Sequence, residues 1–160
     1  MNMSAQSQLG TVQAAWPGAS IEVVQPLPAI DGRCYLAHKV TDNGDGTWHY
    51  EYSLYNHDMG RNAGSFSISG ASNVEVTNID FFAPTIHNVF FSNDDWSAVR
   101  DGEGITWSTT DHASGASANP LRWGFLYNFG FDADAAPETG MAILGVHSPS
   151  AVPFIEVEVA

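Results

Sequence analysis

The sequence predicts an all-β protein in which two antiparallel sheets form a β-sandwich of the immunoglobulin-like or jelly-roll type. From residue 19 onward, short segments alternate apolar and polar side chains with a period of two, which is typical of half-buried strands. Asn-Gly, Asp-Gly and proline residues separate these segments and favour turns. About ten such segments in one chain are enough for two sheets packed face to face.

The longest alternation runs from Asn119 to Asp132 and predicts a strand with one face in the core. Successive strand side chains point to opposite faces, so the bulky side chains at odd positions should line that core. This inward set comprises Leu121, Trp123, Phe125, Tyr127, Phe129 and Phe131.

A β-hairpin is predicted ahead of that strand, because residues 42–46 read DNGDG and supply the Asn-Gly and Asp-Gly steps of tight turns. Its arms are Cys34–Thr41 and Gly46–Asn56. The segment Ser92–Arg100 fits either one helical turn or a short strand. Weaker alternation predicts further strands at Ser65–Ser69, Asn73–Phe82, Gly104–Thr109, Met141–His147 and Val152–Val159.

Residues 1–18 are predicted to form an N-terminal tail that could add one edge or donor strand, and residues 19–160 a single sandwich domain. A chain of 160 residues can bury roughly 68–70% of its unfolded surface in one core. The single cysteine, Cys34, excludes an intrachain disulfide and is expected to be a small buried strand residue.

The composition excludes several classes of protein. Hydrophobic residues make up 44% of the chain, which argues against disorder. The chain has 18 acidic and 5 basic residues, a net charge of −13, so we expect no binding to nucleic acid. No apolar run approaches the length of a membrane span, so we expect no membrane insertion.

The motifs of common enzymes are missing from the sequence, and we expect a protein that is not an enzyme and has no organic cofactor. It lacks a nucleophile elbow, a phosphate-binding glycine loop and a dinucleotide fingerprint. The acidic strand residues Glu51, Glu156 and Glu158 are interpreted as solvating charges, which leaves a hydrolase as the less favoured reading. The six histidines lack the close-spaced ligand pairs of structural zinc sites; they are residues 38, 49, 57, 87, 112 and 147.

Calcium is the metal that the acidic loops could bind, because Ca²⁺ takes several oxygen ligands from loops. The alternative is that these carboxylates only hydrogen-bond the backbone of their own turns. The adjacent pair Asp94-Asp95 is a third candidate site, in addition to two sets of acidic residues. The candidate ligands are Asp42 and Asp45 in the hairpin turn, and Asp132, Asp134 and Glu138 farther along the chain.

Glycan binding is an alternative function, since β-sandwich modules can stack exposed aromatic rings on sugars. Tyr55 lies on the polar parity of its strand, and Trp96 lies in an acidic, irregular stretch. These two are the candidate ligand-binding residues; the alternative is that both belong to the core or its rim.

Two aromatic-rich motifs occur in order, residues 41–68 (TDNGDGTWHYEYSLYNHDMGRNAGSFSI) and residues 119–137 (NPLRWGFLYNFGFDADAAP), with VTNIDFF and GITWST between them. Together they resemble an uncharacterised β-rich domain near the C-terminal end of large exported bacterial proteins. The resemblance implies an extracytoplasmic domain, part of or shorter than a longer architecture, with no assigned activity. It also implies framework roles for Trp48, Tyr50, Tyr52, Arg61, Trp107, Arg122, Trp123, Tyr127 and Asn128.

Arg61 and Arg122 are prominent in so acidic a chain, and we expect each to donate charge-assisted hydrogen bonds to a strand-end acid such as Asp80 or Asp132.

Together these features predict a non-enzymatic structural or interaction module, secreted or at the cell surface, within a larger extracellular assembly. The N-terminus has no signal-peptide pattern, so the protein is either cytoplasmic or a mature or excised piece of an exported protein. The near-absence of lysine, beside many Asn, Ser, Thr, Gly and Asp residues, favours the exported piece. The expected partners are other protein domains or copies of the chain, which would pair through edge strands formed by Gly10–Trp16 or Phe154–Val159.

Overall fold

Ten β-strands and one short 3₁₀ helix form the regular structure of the described part of the chain, residues 16–70, 73–87 and 90–159 of this computed structural model. The strands are β1 Ser20–Val24, β2 Cys34–Asp42, β3 Trp48–Asn56, β4 Ala63–Ser69, β5 Val76–Phe82, β6 Ser97–Arg100, β7 Gly104–Ser108, β8 Leu126–Ala133, β9 Gly140–Val146 and β10 Phe154–Val159. The 3₁₀ helix spans His112–Ser117.

The strands form two five-stranded sheets in which every neighbouring pair is antiparallel. Sheet A has the order β1-β2-β3-β8-β5, and sheet B has the order β10-β9-β4-β7-β6. This arrangement confirms the predicted two-sheet sandwich. The odd-numbered strands run in one direction and the even-numbered strands in the opposite direction. The loops between strands therefore gather at two opposite ends of the sandwich.

We call one end the hairpin end, because the β2–β3 turn (residues 43–47) lies there. The other is the long-loop end, where the two longest connections between strands lie, residues 83–96 and 109–125. Long connections in compact domains are commonly functional, which directs attention to the second end.

Aromatic rings from both sheets interlock in the core around Phe129 of β8, which is fully buried. Its ring centroid lies 4.7 Å from that of Phe66 in sheet B and 5.5 Å from that of Trp107. Phe81 and Trp96 approach it at 5.4 and 5.6 Å from the side of β5 and β6. Tilted and edge-to-face contacts of this kind add to the stabilisation from burial.

Part of the predicted strand 119–132 is not a strand, because β8 begins only at Leu126. Gly124 adopts a φ of 81°, a left-handed conformation that breaks the extended chain, and its N–H binds the Asn56 carbonyl. Tyr127, Phe129 and Phe131 face inward as predicted. Trp123 does not: its side chain is 70% exposed.

Other sequence expectations meet mixed outcomes. The ambiguous segment before residue 100 forms strand β6, not a helical turn. Phe154–Val159 is already paired with β9 along its whole length, leaving its other side at the edge of sheet B. Residues 1–15 of the predicted tail lie outside the described residues, and Trp16 begins a turn that leads into β1.

Cys34 is free and fully buried, as expected. Burial, with smaller contributions from the charges of Asp31 and Asp58, raises the pKa of its thiol to about 12. The described residues contain no helix of sufficient length and hydropathy to cross a bilayer.

Phe129→Ala should destabilise the protein by about 3–5 kcal/mol, because it removes the ring on which four aromatic side chains pack. Phe82→Ala is the matched control, since this ring is 63% exposed on the neighbouring strand and should change stability by less than about 0.5 kcal/mol. Urea unfolding followed by tryptophan fluorescence measures both. Equal losses for the two variants would contradict the central role of Phe129.

Candidate functional site

Exposed apolar side chains are concentrated at the long-loop end of the sandwich. Among the described residues, every large hydrophobic side chain that is exposed lies at this end or in its loops, except Val99 in the middle of β6. Trp123 and Phe90 are among the most exposed, and each belongs to one of the two long connections. The complete set is Val23, Ile30, Phe82, Phe90, Trp123 and Phe154.

The loop that carries Trp123 is held by its neighbour Arg122. The Arg122 guanidinium lies between two rings, 4.7 Å from the centroid of Phe91 and 5.1 Å from that of Phe125. Cation–π contacts of this kind replace a carboxylate partner. Nε and Nη2 of Arg122 are buried with no hydrogen-bond partner among the described residues. The guanidinium therefore joins the two long loops into one surface.

The predicted pairing of Arg122 with Asp80 or Asp132 is wrong. Asp132 lies near the end of β8 remote from Arg122, where His49 Nδ1 and Asn78 Nδ2 bind its carboxylate at 2.8 and 2.6 Å. Those hydrogen bonds lower the pKa of Asp132, with Asn78 the larger cause.

Asn119 supports the same loop from inside. Its Nδ2 donates to the Asp94 carbonyl at 3.0 Å, its Oδ1 accepts from the Tyr127 hydroxyl at 2.8 Å, and its carbonyl accepts from Trp96 Nε1 at 2.6 Å. The expectation of an exposed Trp96 is wrong, since only 3% of the residue is accessible. Its ring packs on Phe81 within the core, so it offers no stacking surface to a sugar.

Asn56 fixes the loop at its other side. Its Nδ2 donates to the carbonyls of Met59 and Leu121 at 2.9 and 3.0 Å, and its Oδ1 accepts the Met59 N–H at 2.8 Å. Leu121 also exchanges two backbone hydrogen bonds with Ala63. The two asparagine side chains that support Trp123 thus form their hydrogen bonds within the protein.

Asp31 joins two further loops of this end. Its carboxylate accepts hydrogen bonds from the backbone N–H groups of Gly32 (2.8 Å), Gly60 (2.7 Å) and Arg61 (3.2 Å), and pairs with Arg61 Nη1 at 3.2 Å. Arg61 therefore binds a loop carboxylate, and its predicted pairing with Asp80 or Asp132 is wrong. Burial alone would raise the pKa of Asp31, but these hydrogen bonds outweigh it and lower the pKa.

Tyr55 lies half-buried on the outer face of sheet A. Its ring stacks on that of Tyr35 at 6.4 Å and approaches His57 at 6.0 Å. One face of the ring is therefore occupied within the protein, and its role as a ligand contact stays a prediction.

The candidate calcium ligands do not converge on one point. Asp42 and Asp45 accept hydrogen bonds within their own turn, from Gly44 N at 2.7 Å and Thr47 Oγ1 at 2.6 Å. Asp134 accepts the N–H of Glu75 at 2.8 Å. Among the described residues, no three His, Cys, Asp or Glu side chains are placed to hold one metal ion. Calcium binding stays a prediction.

The remaining framework residues occupy varied positions. Tyr50, Tyr52, Trp107 and Tyr127 are buried in the core, whereas Trp48 and Asn128 are half-buried. Trp123 departs from the framework role, since it lies on the surface.

A histidine pair lies at the long-loop end that the sequence did not indicate. The rings of His112 and His147 meet edge to face, with centroids 5.3 Å apart. Burial and, second, the nearby His112 lower the pKa of His147. Only two ligands are present, so the pair does not form a structural zinc site by itself.

A cavity of about 600 Å³ opens between the sheets at the hairpin end. Tyr50, Tyr52 and Phe131 form its aromatic wall. Tyr50 donates its hydroxyl to the Ala135 carbonyl at 2.8 Å, and its ring stacks on Phe131 at 4.8 Å. The sequence signal that could have indicated this cavity is the small side chains after β8, because Ala135 and Ala136 leave the mouth unfilled.

Comparison of the chain with protein-family models, with curated protein sequences and with solved structures yields no match.

Asp31→Asn should lower the free energy of unfolding at pH 7 by about 1–3 kcal/mol, because it removes a charged acceptor that four donors share. The folded-state pKa is below the unfolded one, so the stabilisation is present above the unfolded pKa. It is lost as the pH falls through the folded pKa. Denaturant titrations from pH 7 to acid should show the wild type and variant converging. A constant difference at all pH values would contradict this role.

Tyr127→Phe should destabilise the protein by about 1–2 kcal/mol, because it leaves the buried Asn119 Oδ1 without its phenolic donor. Tyr52→Phe is the matched control. The Tyr52 hydroxyl has no hydrogen-bond partner among the described residues, so its removal should cost no more than about 0.5 kcal/mol or be stabilising. Thermal melts of both variants measure the difference, and a larger loss for Tyr52→Phe would contradict it.

Proposed function

We propose that this chain is a non-enzymatic interaction module that docks a protein partner against its long-loop end. The observation that carries the proposal is the concentration of exposed large apolar side chains at this end. Trp123 is 70% exposed there, next to Arg122, whose guanidinium lies between two aromatic rings. Soluble monomers seldom expose large apolar patches, and Trp and Arg are enriched where protein partners bind.

Contacts within the protein hold the described part of this surface in place. Arg122 joins the two long loops, and Asn56 and Asn119 fix the Trp123 loop through hydrogen bonds. Ordering loops on binding costs free energy, so a preformed surface retains more of the interaction energy as affinity.

A protein partner fits this end better than a glycan. Sugar recognition combines a stacking ring with free polar side chains that bind hydroxyl groups. Near Trp123, however, the side chains of Asn56 and Asn119 have their hydrogen bonds satisfied internally. An apolar surface with few available donors suits burial against another protein.

The partner is expected to be a different protein. A net charge of −13 makes copies of the chain repel one another at moderate ionic strength. We also propose that the module works outside the cytoplasm, as the resemblance of its two aromatic motifs to a domain of exported bacterial proteins and its low lysine content suggest.

Trp123→Ala should remove the dominant contact of this surface. Phage-displayed random peptides selected on the wild type should converge on the long-loop end, and their affinity should fall by about 10- to 30-fold in the variant. Biolayer interferometry of the selected peptides measures this loss, and thermal melts should show that the exposed ring contributes little to stability.

Val99→Ala is the control for this experiment, because it also removes an exposed apolar side chain, but one on β6 and away from the long-loop end. Peptides that bind equally well to Trp123→Ala would contradict the proposal. Saturable binding of a neutral polysaccharide, lost in Trp123→Ala and kept in Val99→Ala, would instead assign this surface to glycans.

A further inference from the structure

The cavity at the hairpin end lies as far from the long-loop end as the sandwich allows. It opens where β4, β8 and β10 finish and where β5, β7 and β9 begin. Its volume of about 600 Å³ falls within the roughly 300–1,000 Å³ that small-molecule sites occupy.

Tyr52 is the residue of the aromatic wall whose hydroxyl has no hydrogen-bond partner among the described residues. The residue is only 2% exposed, yet its hydroxyl makes no hydrogen bond with the described residues. Tyr50 lies two residues earlier on the same face of β3, and its hydroxyl donates a hydrogen bond to the Ala135 carbonyl. The Tyr52 hydroxyl oxygen is not one of the fully buried polar atoms without a partner among the described residues, so it is accessible at the cavity wall, where a ligand oxygen can accept its hydrogen bond.

Burial raises the pKa of Tyr52, with a smaller contribution from Tyr50, so the phenol remains protonated at neutral pH. A protonated phenol can donate a hydrogen bond to a ligand oxygen. The rings of Tyr52 and Phe131 lie nearly parallel, at 6.3 Å and 20°. They extend the stacked pair of Tyr50 and Phe131 into a continuous aromatic wall, against which a ligand ring can pack.

The rim of the cavity is acidic. It carries the carboxylates of Asp101, Glu103 and Glu138 and one guanidinium, Arg100, which donates to the Val74 carbonyl. Asp101 Oδ1 accepts hydrogen bonds from the N–H groups of Glu103 and Gly104, which hold this carboxylate in place at the mouth of the cavity. This excess of negative charge disfavours the entry of anions.

We propose that this cavity binds a small organic molecule that carries no negative charge and has a planar ring and a carbonyl or hydroxyl oxygen. The ring lies on the aromatic wall, and its oxygen accepts a hydrogen bond from the Tyr52 hydroxyl. This site does not depend on the docking surface at the other end, so either proposal can fail without the other.

Three one-ring probes of similar size and different charge test the proposal on the full chain: benzamide, benzoate and phenyltrimethylammonium. Saturation-transfer NMR titrations at pH 7 should show saturable binding of benzamide. Benzoate should bind about 10-fold more weakly because of the acidic rim. Phenyltrimethylammonium has no oxygen to accept the phenolic hydrogen bond, so its affinity reports the contributions of the aromatic wall and the acidic rim alone.

Two variants locate the binding. Tyr52→Phe keeps the ring and removes the hydroxyl, so benzamide should bind about 5- to 10-fold more weakly while phenyltrimethylammonium is unaffected. Ala136→Trp places a large ring at an exposed position of the mouth and should abolish binding of all three probes. Trp123→Ala, at the opposite end, should leave every affinity unchanged.

The proposal is overturned if none of the three probes binds, or if Tyr52→Phe binds benzamide as well as the wild type does. Benzoate binding as tightly as benzamide would overturn the exclusion of anionic ligands. Binding that persists in Ala136→Trp would place the probes outside this cavity.

Discussion

The interlocking of aromatic rings around Phe129 is the constraint on which the rest of the structure depends. Phe66 and Trp107 reach it from sheet B, while Phe81 and Trp96 close it from the side of β5 and β6. Close-packed interiors transmit volume changes to their surroundings, so these rings determine how far apart the two sheets lie. Where the chain has Ala135 and Ala136 instead of rings, the same spacing leaves an opening.

The strands were largely predictable because side-chain parity is a local property of the chain. Parity alone does not show where a ladder ends, however, and the alternation before Tyr127 continues through a turn. Trp123 has the parity of a core residue, but the left-handed Gly124 beside it takes this part of the chain out of the sheet. The glycine was visible in the sequence; its positive φ was not, since a strand also tolerates glycine at some cost.

The partners of the charged residues were not predictable, because they depend on which loops the topology brings together. Arg61 binds Asp31, a residue thirty positions earlier that becomes its neighbour only when β2 and β4 take their places. Arg122 binds no acid and lies between Phe91 and Phe125. Trp96 appeared exposed because acidic residues precede it, although burial is decided by strand β6, which follows it.

The two proposed sites differ in the polar groups that they offer to a partner. At the long-loop end, Asn56 and Asn119 bond within the protein, so the exposed Trp123 can gain free energy mainly by apolar burial. At the hairpin end, Tyr52 lines the cavity, and its hydroxyl makes no hydrogen bond with the described residues. The proposed ligand would gain a directed hydrogen bond from this hydroxyl, which would select small molecules by the position of their oxygen atoms.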